Sequence, residues 1–111
     1  MTDRKEKKLA KLVENQDAGR IIEMITEKDV ALSLKAAAAL GKVPGNDDAY
    51  NMLITLLRSP MAKMRVVAVN ALAEMADQKA RAHVDHNYLS ETDEEVREAM
   101  RQAMAILHSN E

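Results

Sequence analysis

Two clusters and one basic run in this 111-residue chain carry side chains that invite chemistry. His83 and His86 stand three apart around Asp85, a spacing that turns two imidazoles toward a common ion on one helical face. A metal site needs three or four ligands, and the remaining histidine, His108, is distant in sequence, so an exposed polar face and no metal are expected. Arg65 and Arg97 lie 32 residues apart, and recurring guanidinium groups are candidates for phosphate or carboxylate contacts. Lys5, Lys7, Lys8 and Lys11 form a basic run that would suit a weak nucleic-acid binder. Against that role, two arginines without interleaved aromatics make a poor platform for bases, and the net charge is −2. With zero Cys, thiolate metal sites, disulfides and thiol catalysis are excluded. No Gly-rich phosphate loop and no Ser–His–acid elbow occurs, so the expectation is a non-enzyme with no cofactor.

The elements that must position these groups are helices. Hydrophobic residues make up 47% of the chain, rich in Ala with 8 Met and no Phe or Trp, while 3 Gly and 2 Pro leave little punctuation. Spacing and caps predict helices over 2–15, 18–26, 29–43, 49–58, 59–75, 77–90 and 92–108. Asp17 and Asp29 are read as N-caps, Asp47 or Asp48 as the cap of the fourth helix, and Asp77 as that of the sixth. Ser59-Pro60 is read as a helix start with proline in the first turn, and Thr92 with Glu95 as a capping box. The fourth helix should be buried around most of its circumference, leaving Asn51, Thr55 and Arg58 outside.

The segment 59–75 recurs at a 32-residue spacing in both directions. Its columns Leu32/Met64/Val96, Ala36/Ala68/Met100, Ala39/Ala71/Ala103, Leu40/Leu72/Met104 and Val43/Met75/Leu107 trace one helical stripe. A helix pair with such a stripe cannot bury it alone, whereas stacked pairs share a core. Strict spacing sets Asp85 opposite the core positions Leu53 and Ile21, and a one-residue slip would put Val84 there instead.

On Asp93-Glu94-Glu95-Val96-Arg97 followed by Ala103, on Met64-Arg65 followed by Ala68, Ala71 and Leu72, and on Ala39-Leu40-Gly41, the chain resembles the HEAT-repeat family, in particular the short repeats found in phycobilisome lyases. The first repeat departs from the pattern, with Ser33 in place of the arginine. The resemblance implies an all-α, right-handed solenoid. It would be a single domain over 1–111: a cap helix in 1–15, then repeats in 16–45, 46–76 and 77–111. It also implies that Arg65 and Arg97 pair with turn aspartates, Asp29 and Asp93. An enzyme-accessory role, binding a cofactor-bearing protein, is the analogy with lyase-type relatives.

Opposite the buried stripe lie Val30/Ala62/Glu94, Leu34/Val66/Glu98 and Ala38/Asn70/Gln102, with Ala37/Val69/Arg101 at the flank. This surface grades from apolar to charged. It is expected to bind another protein through Val30, Leu34, Ala37, Val66, Val69, Asn70 and Arg101, unless the N-terminal helix or a second copy in a homodimer covers it. No apolar run approaches membrane-spanning length and the N-terminus is charged, so a cytoplasmic protein is expected.

Overall fold

The computed structural model describes residues 4–109. Among them the chain forms seven helices and no strand: α1 (Arg4–Glu14), α2 (Ala18–Glu23), α3 (Val30–Leu40), α4 (Asp47–Leu56), α5 (Ala62–Met75), α6 (Ala80–Ser90) and α7 (Glu94–His108). The expected start of the first helix at Thr2 lies outside the described residues. The pairs α2–α3, α4–α5 and α6–α7 stack into an α-solenoid. The second helices α3, α5 and α7 pack on one another more extensively than the first helices do, so their row is the inner one.

The periodic stripe is the reason these helices stack. Ala36, Ala68, Met100, Leu40, Leu72 and Leu107 are inaccessible to solvent, and of the whole stripe only Leu32 and Met104 are half-buried. Ile21, Leu53 and Val84 complete the core from the first helices. Val84 and not Asp85 takes the core position of α6, so the one-residue slip is real. As expected, Asn51 and Thr55 of α4 and Arg58 just past its end are exposed, while Ala49, Tyr50 and Leu53 are buried.

Helix starts follow the chemistry of orphan backbone N–H groups. Asp17 accepts from the Arg20 N–H and Asp29 from that of Leu32. Four starts differ from expectation. Asn46, not Asp47 or Asp48, caps α4 by accepting from the Ala49 N–H, and both aspartates fall in the first turn, where the helix dipole favours them. Asp93, not Thr92, caps α7 through the Val96 N–H at 3.1 Å. Pro60 precedes α5 by two residues, and Met61 occupies the N-cap without a side-chain bond. Asp77 accepts from the Lys79 N–H one turn ahead of α6, which has no side-chain cap. In addition α2 is short, ending at Glu23, and α3 ends at Leu40 before Gly41.

Candidate partner-binding surface

The turn-facing side chains tie each second helix to the turn before it, and Arg65 also to the turn of the next pair. The Arg65 guanidinium donates to both carboxylate oxygens of Glu91, at 2.8 and 3.1 Å, and to the Ser59 carbonyl at 2.8 Å. The Arg97 guanidinium donates to the carbonyls of Tyr88 and Glu91 and lies over the Tyr88 ring, 4.1 Å from its centroid. The aspartates expected as partners are engaged elsewhere. Asp29 caps α3 and pairs with Lys5 at 3.3 Å, while Asp93 caps α7. Both arginines have structural ligands. Ser33, the departure in the first pair, turns out to be an equivalent: its buried hydroxyl donates to the Thr26 carbonyl at 2.6 Å and accepts from the Thr26 N–H at 2.8 Å. A small side chain suffices there because the turn after α2 comes closer.

The Glu91 side chain is only 6% exposed. Burial alone would raise its pKa, but the Arg65 guanidinium and the Asp93 N–H outweigh it and hold the carboxyl below its ordinary value. Arg101 is raised by its bond to Glu94, then by those to the Tyr88 hydroxyl and Glu98. It is therefore committed to its own α7 carboxylates and to α6.

The seven residues expected to form one binding face separate into different environments. Ala37 and Val69 are wholly buried and are not contacts for a partner. Gly41, one turn beyond Ala37 on the same side of α3, shows what buries this column: a Cβ there would lie 2.9 Å from the Ala71 Cα and carbonyl oxygen of α5. The column 30/34/37 of α3, repeated as 62/66/69 in α5, is thus the side on which the next second helix stacks. In α7 the same column becomes the polar Glu94, Glu98 and Arg101. Leu34 is half-buried in this interface. Val30, 44% exposed, lines an apolar groove with Ile25, Leu56, Met61 and Met64 at the turns. α1 packs on α2 and α3 and leaves Val30 uncovered, bordering the other flank of α3 at Lys35, Ala38 and Lys42.

The exposed side of the second-helix row is the column Ala38, Asn70 and Gln102. A groove of ≈ 280 Å³ between α3 and α5 is lined by Ala38, Lys42, Val67, Asn70, Ala71 and Glu74. Its neighbour between α5 and α7, ≈ 500 Å³, is lined by Val66, Asn70, Glu94, Glu95, Glu98, Ala99 and Gln102. Both therefore have apolar floors, polar crests and Asn70 in common. Val67, Glu74 and Lys42 were missed in the sequence, although their 32-residue columns place them beside Ala38 and Asn70.

His83 and His86 are both exposed, and no group of three or more metal-liganding side chains forms among the described residues. Asp85 bonds His108 Nε2 at 3.2 Å. Lys7, Lys8 and Lys11 remain exposed on α1. No helix among the described residues is long and apolar enough to cross a membrane.

No curated protein and no solved structure matches the chain significantly. Residues 18–105 do match a family model, that of HEAT repeats. That span runs from the first residue of α2 into the last turns of α7 and so takes in all three stacked pairs, and on it the chain belongs to the HEAT-repeat family.

Proposed function

We propose that the chain is a non-enzymatic protein-interaction module that holds an extended segment of another protein across the exposed side of α3, α5 and α7. HEAT repeats commonly mediate protein–protein interaction. The observation that carries the finer reading is Asn70. Its amide is exposed, lines two adjoining grooves and makes no hydrogen bond among the described residues. A side-chain amide offers one acceptor and two donors, which matches the N–H and C=O of a passing backbone. The apolar floors at Val66, Val67 and Ala99 give side chains of that segment somewhere to go.

A photo-crosslinking residue at Asn70 or Gln102, compared with one at Asn51 on the outer row, tests this in native lysate. Capture of one common protein from the two inner positions and not from Asn51 is the expected result. Equal capture from all three positions, or none from the inner two, refutes the reading.

A further inference from the structure

The grooves along the second helices join into one channel, and α1 is a wall of it. The groove between α1 and α3, ≈ 530 Å³, shares Ala38 and Lys42 with the one between α3 and α5, which shares Asn70 with the one between α5 and α7. The two ends of this channel differ in chemistry. At the α1 end the buried Leu9 and Ala39 form the floor, and the exposed Ala10 and half-buried Val13 form the wall. Charges on its rim are matched within the chain: Lys35 pairs with Glu6, and Lys42 with Glu74 at 3.2 Å. Apolar surface is what this end has left to offer. At the α7 end the lining carries Glu94, Glu95 and Glu98 and no cation. Arg101 pairs with Glu94 and Glu98 from outside the groove, whereas Glu95 makes no ion pair among the described residues.

Resting on the second-helix row as the binding face, we propose that the channel selects a partner segment by two anchors. A large aliphatic or aromatic side chain enters the groove between α1 and α3, and a lysine or arginine lies beside Glu95, with the main chain crossing at Asn70. The apolar anchor gains by leaving water, while a carboxylate in its place would be desolvated with Lys35 and Lys42 already engaged. At the other end, charge complementarity with Glu95 selects a cation over an anion. Packed helices lie roughly 8–10 Å apart and an extended chain advances about 3.3 Å per residue, so the two anchors, two helix spacings apart, stand about six residues apart in the segment.

Random peptides of about 12 residues, displayed on phage and selected on the immobilised chain, are the probe, since that length spans both anchors. The enriched peptides should carry an aliphatic or aromatic residue about six positions from a lysine or arginine. Fluorescence anisotropy of the best peptide then locates the anchors. Ala10→Glu should weaken binding about tenfold or more, as should alanine at the peptide's apolar anchor, and the two losses should not add, because each removes the same contact. Glu95→Lys should weaken it too, and a peptide with glutamate at the basic position should recover binding to that variant. Asn51→Glu, on the outer row, should leave binding unchanged. Should Ala10→Glu disturb α1, Ala10→Lys places a charge in the same mouth and carries the same expectation. Binding that is lost on Asn70→Ala but indifferent to both Ala10 variants, or enriched peptides without the common spacing, overturns the two-anchor proposal and leaves the binding face standing. No enriched peptide, or binding indifferent to Asn70→Ala, removes both.

Discussion

At the scale of single residues, one task is met three ways. Ser33, Arg65 and Arg97 occupy equivalent positions, and each donates to a carbonyl in the turn before its helix, six to nine residues earlier. A sequence can reveal the equivalence of position but not that a hydroxyl and a guanidinium do the same work, since that depends on how close the turn passes. Glu91 was not legible as the partner of Arg65, because the pairing spans two repeats. Its chemistry makes a prediction about pH. The carboxyl has a lower pKa folded than unfolded, so its contribution to stability is present above the ordinary value of 4.5 and is lost as pH falls through the lower folded value. Glu91→Gln removes that dependence. Chemical denaturation of the two proteins across the acid range should give a difference in stability that is constant near neutrality and narrows below about pH 4.5. A difference that does not change with pH would show that the ion pair is not linked to folding.

At the scale of elements, the helices and their order were legible because the periodic stripe is long and unambiguous. The starts were less so wherever several cap-competent residues adjoin. In Asn46-Asp47-Asp48 and in Thr92-Asp93 any member can accept from the first turn, so residue type alone does not single out Asn46 or Asp93. Asp17 and Asp29, with no rival beside them, were read correctly. Gly41 was legible only as a helix stop. Its φ of −64° is ordinary for any residue, so conformational freedom is not what glycine supplies there. Space is: the absent Cβ would meet the α5 backbone at Ala71. Backbone cannot withdraw as a flexible side chain can, so Gly41→Ala has to part α3 from α5 and should cost about 1–3 kcal/mol, as overpacking does. Gly45, left-handed at φ +78° but with nothing near its would-be Cβ, separates the two roles of glycine. Urea titration of Gly41→Ala is the measurement. Stability equal to the parent would mean that the α3–α5 contact yields easily.

At the scale of the molecule, the gradient from apolar to charged along the second helices was visible in the sequence but its meaning was not. Periodicity tells which side of a helix is apolar and is silent on which neighbour covers it. Val69 and Ala37 were therefore taken for a partner's contacts when they are the contacts between repeats, while the column Ala38, Asn70 and Gln102 was read correctly as facing outward. The same stacking predicts where the solenoid opens first. α5 lies in the middle of the row and buries seven residues, among them Met64, Leu72 and Met75. α6 buries only Ala80 and Val84 and packs chiefly on α7. Polar contacts hold its ends instead: Gln78 donates to the Leu107 carbonyl at 2.9 Å, and the Tyr88 ring lies under Arg97. In a stack each unit is stabilised by its immediate neighbours, so a helix with so little apolar contact opens at lower cost than the whole molecule unfolds. Native-state hydrogen exchange should find the amides of α6 exchanging well ahead of those in α3 and α5, with α7 between them because its inner side remains packed on α5. Uniform protection across α3, α5 and α6 would mean that the solenoid opens as one cooperative unit and that α6 is held by its neighbours as firmly as the central helices.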